Sequence, residues 1–179
     1  EHHANVLPWQ LIAQERGLKL QYLQTTTDHL IDPQQLTTLI TPQTKILSIS
    51  HRSNVTGYTP PVQELIHIAH KHGLLVVVDG AQQVAHERVN VQELDADFYV
   101  FSGHKICGPT GVGVLYGKQA LLESLQPVFG GGHMIDEVHA DHSTYAPLPT
   151  KFEPGTPPIA SVIGLGAAIT YLNTRGMDN

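Results

Sequence analysis

The chain has 179 residues, 41% hydrophobic and 15% charged, with a formal net charge of −6. That is enough apolar chain for one domain with a sizeable core, and it argues against disorder. The acidic balance leaves no footprint for nucleic acid; no apolar run approaches a membrane span and no signal peptide is visible. A single cysteine excludes an internal disulfide framework and suits a reducing compartment, so a cytoplasmic location is expected. The chain opens on Glu1-His2-His3 without a methionine and closes directly behind a helical pattern, so a fragment of a longer protein is expected.

In chain order, Val6 to Ala13 places apolar residues at helical spacing, with Asn5 as N-cap, Pro8 in the first turn and Gly17 as the stop. Leu18 to Leu23 alternates apolar and polar residues and predicts a strand. Asp32-Pro33 starts a short helix that buries Leu36, Leu39 and Ile40, and Thr41-Pro42 stops it. Lys45 to Ser50 predicts the next strand, followed by the loop His51 to Gly57. Pro61 then opens a helix with Val62, Leu65, Ile66 and Ala69 on one face, closed by Gly73. Leu74–Val78 and Phe98–Phe101 have the length and residue types of buried strands. Between them, Gln82 to His86 predicts a single helical turn.

Gly111 to Tyr116 predicts a strand antiparallel to Phe98–Phe101, and Gln119 to Leu125 a short helix. From Gly130 to Pro158 the chain is rich in Gly and Pro and shows no period, which predicts a long loop. Ala160 to Leu172 resumes as a helix, with Gly164 and Gly166 pointing to close packing against a neighbour. Alternating strands and helices define an α/β domain with a mostly parallel sheet flanked by helices. Right-handed crossovers then bring Asn54, Asp79, Gln82 and the Ser102–Lys105 loop to one sheet edge, where open α/β sheets bind ligands.

Two strand ends carry the chemistry. Leu74–Val78 runs into Asp79-Gly80-Ala81-Gln82, and Phe98–Phe101 into Ser102-Gly103-His104-Lys105. Lys105 is flanked by Gly103 and Gly108, which would let backbone approach a ligand closely. A desolvated lysine can attack a carbonyl, and a carboxylate can keep a heteroaromatic nitrogen protonated. A lysine joined to an aldehyde and an acid on a pyridinium nitrogen are how proteins hold pyridoxal phosphate. The bland alternative is an exposed strand-end acid and a surface lysine, with Asn54 and Ser102 serving as caps or turns and His2-His3 as a solvated terminus.

The motifs Glu1-His2-His3-Ala4-Asn5, Ser53-Asn54-Val55-Thr56-Gly57, Val78-Asp79-Gly80-Ala81-Gln82, Ser102-Gly103-His104-Lys105 and Phe152-Glu153-Pro154-Gly155-Thr156-Pro157 decide between them. In order and spacing they resemble the class V aminotransferase family, and within it cysteine desulfurases and selenocysteine lyases of the SufS and CsdA type. The resemblance implies part of the large domain of a fold-type I pyridoxal 5'-phosphate enzyme. Residues 1–129 would form the sheet portion, 130–158 the long loop, and 159–179 a helix leading to a missing C-terminal domain.

It further implies that Lys105 binds the cofactor covalently and moves the substrate's α-proton, while Asp79 pairs with the ring nitrogen. Gln82 and Asn54 would bond the ring's phenolic oxygen, His2 would stack on the ring and assist proton transfer, and Ser102 and His104 would bind the phosphate. Thr156 would reach the phosphate of a second subunit, implying a homodimer. The implied reaction converts L-cysteine, or L-selenocysteine, to alanine and passes sulfur to an acceptor protein of the SufE or CsdE type for iron–sulfur cluster assembly. Rivals are another class V enzyme, such as an aminotransferase or a kynureninase-like lyase, and a non-catalytic homologue that only binds or dimerises.

Three signals are set aside. Cys107 lies two residues after Lys105, whereas the family's nucleophilic cysteine lies far downstream; Cys107 is therefore expected to be a small buried side chain, and the fragment alone inactive. Gly108 to Gly113 lacks the Gly-Lys-Ser/Thr ending of a phosphate loop. His67, His70 and His72 suggest zinc, but only His67 and His70 share a helix face and no third ligand is evident, so no metal is expected and the histidines read as solvated.

Overall fold

The computed structural model describes residues 1–177. Four strands form one sheet in chain order: β1 (Ile46–Ser50), β2 (Leu75–Asp79), β3 (Phe98–Ser102) and β4 (Gly113–Gly117). The first three are parallel and β4 returns antiparallel along β3, as the short connection between them requires. Helices α1 (Leu7–Arg16), α2 (Gln34–Leu39), α3 (Val62–Lys71), α4 (Val91–Leu94), α5 (Gln119–Ser124) and α6 (Ile159–Arg175) complete the α/β pattern.

The core follows from two matched periods. Strand alternation puts Leu47, Ile49, Val76, Val78 and Tyr99 among the buried residues, and helical spacing puts Val62, Leu65, Ile66 and Ala69 against them. Leu36 of α2 closes the same cluster. Leu65, Val76 and Val78 expose none of their surface, and each such side chain contributes about 1.5–3 kcal/mol relative to exposure.

The amino-terminal edge of the sheet is tied by charge. Asp97, just before β3 and 4% exposed, accepts hydrogen bonds from Val76 N at 2.7 Å and His70 Nε2 at 2.9 Å. Lys118 Nζ, just after β4, lies 2.8 Å from Asp97 and 2.7 Å from Asp95. His70 Nδ1 lies 3.1 Å from Asp95. Burial pushes Asp97 up, but the hydrogen bonds from Lys118 and His70 outweigh it and hold the carboxyl below its ordinary value. Lys118 is likewise pulled down by desolvation, and its bonds to Asp95 and Asp97 leave it raised. His70 is therefore not a solvated surface residue as expected, because two carboxylates 25 and 27 residues downstream close on its ring. Among the described residues no group of three or more His, Cys, Asp or Glu side chains is placed to hold a metal ion, and no helix is long and apolar enough to cross a membrane.

Several local expectations are overturned. Leu18 to Leu23 forms no strand; the isolated bridge nearby pairs Thr25 with Ile31, and Leu18 and Tyr22 stay exposed. Its alternation lacks a neighbouring strand to complete a ladder. Asn5 does not cap α1, whose first turn follows Val6; its side chain instead accepts from Ser48 Oγ at 2.6 Å and Trp9 Nε1 at 3.2 Å. The stretch 130–158 is not one loop, since it folds into a hairpin of β5 (Ile135–Val138) and β6 (Ser143–Tyr145). Both strands are largely exposed, so no burial period marks them. Gly164 does pack closely, a Cβ there meeting Pro109 at 3.0 Å, but Gly166 faces open space. Asp178 and Asn179, included in the expected segment 159–179, lie outside the described residues.

Candidate active site

At the opposite, carboxyl-terminal edge the three parallel strands end side by side, and pairing extends past them. His51 N donates to Asp79 O at 2.8 Å and Gly80 N to Val100 O at 2.9 Å, so the roots of three loops are fixed to one another. Gly80 is required there, because a Cβ would lie 2.0 Å from the ring of Tyr99. Tyr99 is buried beneath this edge, with its hydroxyl 3.0 Å from His51 Nδ1. Burial drives the Tyr99 hydroxyl far above its ordinary value, and the charge of Asp79 adds to the effect. Burial likewise lowers His51, with Glu87 opposing. Both are neutral at pH 7 and form an uncharged support under Asp79.

The edge encloses a cavity of about 460 Å³, within the range of sites that take a small ligand or cofactor. Its lining includes His2, Asn54, Asp79, Gln82, Ser102, His104 and Lys105. These are seven of the eight residues expected from sequence, brought together from positions as far apart as His2 and Lys105. The eighth, Thr156, is exposed and lines a separate depression of about 300 Å³ with Gly132, His133, Gly155 and Pro157.

The amino terminus is tied to this wall. Glu1 accepts hydrogen bonds from Ser50 N at 2.8 Å, Ser50 Oγ at 2.7 Å and Asn5 Nδ2 at 2.8 Å. Trp9 Nε1 reaches Ser48 Oγ at 3.0 Å. His2 follows this anchor and caps the short turn His3–Asn5, its Nδ1 accepting from Ala4 N at 3.1 Å. On the far wall, the turn Gly103–Ile106 buries its first and last residues and leaves His104 and Lys105 toward the cavity. The neighbouring glycines do not serve ligand approach as expected. A Cβ on Gly103 would meet Val112 at 2.9 Å, and one on Gly108 would meet Gly103 O at 2.7 Å, so they pack chain on chain.

Cys107 corrects a second expectation. It is exposed, not buried, because the chain leaves the turn there in a left-handed conformation, φ 63°, and Ile106 takes the interior position. Cys107 is not part of the cavity lining.

What distinguishes the cavity is the state of its polar groups. Among the described residues, the side chains of Asn54, Gln82, Ser102, His104 and Lys105 make no hydrogen bond or ion pair. Asp79 engages one carboxylate oxygen, accepting from Ala81 N at 3.0 Å, and leaves the other free. A half-buried ammonium and a half-buried carboxylate oxygen without protein partners are costly unless a ligand supplies them. The donor set fits a pyridoxal phosphate: an acid for a ring nitrogen, an amine for an aldehyde, and hydroxyl, amide and imidazole groups for its oxygens. Arg52 also lines the cavity and was missed from sequence, where it read as part of a connecting loop. Its side chain is 26% exposed and meets Glu87 at 3.4 Å.

A mostly parallel sheet with a lysine and an acid at adjacent strand ends defines the class, and comparison with known proteins assigns the family. The pattern of the family "Aminotransferase class-V" matches residues 1–179, and the chain belongs to that family. A cysteine desulfurase of Serratia proteamaculans is 52% identical over 179 residues, which cover 99% of this chain and 44% of the relative. The crystal structure of the cysteine desulfurase CsdA (S-sulfonic acid) from Escherichia coli superposes with a TM-score of 0.96 at 48% identity, over 99% of this chain and 44% of that one. More distantly, a variant of the lyase C-DES, solved with glycine covalently linked to its PLP cofactor, matches at 27% identity with a TM-score of 0.88, over 98% of this chain and 48% of that one. The chain thus spans less than half the length of the relatives it matches.

Proposed function

We propose that this chain is the cofactor-holding part of a pyridoxal-phosphate-dependent cysteine desulfurase, which converts L-cysteine to L-alanine and retains the sulfur as a persulfide. The observation that carries the reading is the set of unpartnered polar side chains around Lys105 and Asp79 in one cavity. The bound cofactor would supply an electron sink for charge developing at the substrate's Cα. Lys105 would hold the cofactor through its amine and carry the proton on and off that carbon. The free Asp79 oxygen would accept the ring N–H, with the neutral Tyr99–His51 pair leaving its charge undiminished. Gln82 and Asn54 would donate to the ring's phenolic oxygen, and Ser102 and His104 to the phosphate. His2, held in place by the Glu1–Ser50 anchor, would cover the ring and pass a proton to the departing group. Family membership and the desulfurase relatives support cysteine over other amino-acid substrates; selenocysteine is the natural second substrate.

Thr156 belongs in this reading to a homodimer, in which it reaches the partner's phosphate; its exposure and its distance from this chain's cavity favour that role. Cys107 is not the sulfur-accepting thiol, because it stands outside the cavity. That thiol would come from sequence outside these 179 residues, and the persulfide would pass to an acceptor protein of the SufE or CsdE type that feeds iron–sulfur cluster assembly in the cytoplasm. The test is to supply the full-length gene product with pyridoxal phosphate and L-cysteine and to identify the products. Alanine with protein-bound persulfide is expected, and residues 1–179 alone should give no sustained alanine. A keto acid as product would instead make the enzyme an aminotransferase and sink the desulfurase reading.

A further inference from the structure

The free oxygen of Asp79 has to meet a ring nitrogen in one direction, and the buried face of the sheet holds what aims it. Register aligns Ile49, Val78 and Tyr99 across the three parallel strands, and alternation puts them on one face and Asp79 on the other. The Tyr99 ring, 1% exposed, runs beneath the end of β2, where a Cβ on Gly80 would fall onto the ring and its hydroxyl. From β3 it reaches past β2 to the loop after β1. Its hydroxyl lies 3.0 Å from His51 Nδ1, and the two rings meet edge to face with centroids 5.9 Å apart.

Three hydrogen bonds therefore close a circuit around Asp79. His51 N donates to Asp79 O, Gly80 N donates to Val100 O, and the side chains of Tyr99 and His51 complete the path on the buried face. Burial gives the last bond its direction. A buried hydroxyl needs an acceptor, so Tyr99 donates to Nδ1 and His51 carries its proton on Nε2. Burial keeps the imidazole neutral against the opposing charge of Glu87, as an acceptor must be. On the cavity face Asp79 accepts from Ala81 N at 3.0 Å, so the carboxylate turns with the Gly80 peptide that rests on Tyr99.

Resting on the reading of the cavity as a pyridoxal-phosphate site, we propose that Tyr99 and His51 are positioning residues whose clasp beneath β2 aims the free Asp79 oxygen at the cofactor's ring nitrogen. Neither side chain lines the cavity, so both act through Asp79.

The test uses the full-length gene product and three readouts: affinity for pyridoxal phosphate, the pH midpoint of the absorption change of the lysine-bound cofactor, and the urea midpoint of the cofactor-free protein. Tyr99→Phe keeps the ring and removes the clasp. It should weaken cofactor binding about five- to twentyfold and raise the pH midpoint by about half a unit to one unit. A ring nitrogen that loses its carboxylate sheds its proton and draws less charge from the lysine nitrogen, which explains the upward sign. His51→Leu should shift both quantities the same way. His51→Asn, whose amide oxygen can stand near the place of Nδ1, should restore both close to wild type. A purely structural pair would lower the urea midpoint in Tyr99→Phe and His51→Leu and leave affinity and pH midpoint unchanged. That result, or His51→Asn behaving like His51→Leu, would overturn the proposal while leaving the cofactor reading intact. A wild-type protein that binds no pyridoxal phosphate at all would overturn both.

Discussion

The two edges of the sheet are built from similar residue types and do opposite things with them. At the amino-terminal edge, Asp97 is saturated by Val76 N, His70 and Lys118, each within 2.9 Å. At the carboxyl-terminal edge, Lys105 has no partner among the described residues and Asp79 has one oxygen to spare. A buried charge left unpaired destabilises a fold, so it persists where binding recovers the cost. The satisfied edge fixes the strands, and the unsatisfied edge waits for a ligand.

Exchanging the partners on each side should expose that difference. Lys105→Ala should cut L-cysteine turnover by about a thousandfold or more and abolish the absorption band of lysine-bound cofactor, while leaving the urea midpoint of the cofactor-free protein unchanged or slightly raised. Asp97→Ala should do the reverse. It should cost about 3–5 kcal/mol in urea unfolding, because Lys118 loses a buried counter-charge and His70 and Val76 N lose their acceptor, and cofactor binding by the folded fraction should persist. Gly80→Ala tests the junction between the two: its Cβ must displace the Tyr99 ring, costing about 1–3 kcal/mol and weakening cofactor binding as Asp79 shifts.

The smallest effect is the pH dependence of the satisfied edge. Asp95 and Asp97 are both held below their ordinary values. Depressed carboxylates contribute fully above their unfolded value, about pH 4, and the contribution fades as pH falls through the folded values. The stability gap between wild type and Asp97→Asn should thus be flat from about pH 5 to about pH 10 and close in acid. Lys118 is raised, so its share holds below its unfolded value, about pH 10.4, and is lost as pH climbs beyond it. A gap that widened toward acid would show that the network does not hold the edge.

The unsatisfied edge was largely legible in sequence, because each parallel strand carries its polar residues immediately behind an apolar run, as Val78-Asp79 and Phe101-Ser102 do. Local order therefore announces the site. The satisfied edge was not legible, since His70 meets Asp95 and Asp97 only through the packing of α3 on the sheet. Glu1, Ser48 and Ser50 escaped for the same reason: their hydrogen bonds join positions 43 and 49 residues apart. The hairpin β5–β6 lies exposed on both faces and so left no period to find, and α4 has only four residues. The strand expected at 18–23 fails differently, with the right alternation and no ladder partner. Arg52 was passed over because nothing in its local sequence tells a cavity-lining arginine from a loop one.

The central claim is that Lys105 is the residue to which the carboxyl-terminal edge commits its ligand. The direct measurement is reduction of the pyridoxal-phosphate-loaded full-length protein with borohydride, followed by peptide mass spectrometry. The account predicts a pyridoxyl adduct on the peptide containing Lys105. An adduct on Lys118 or another lysine, or no adduct at all, would contradict it.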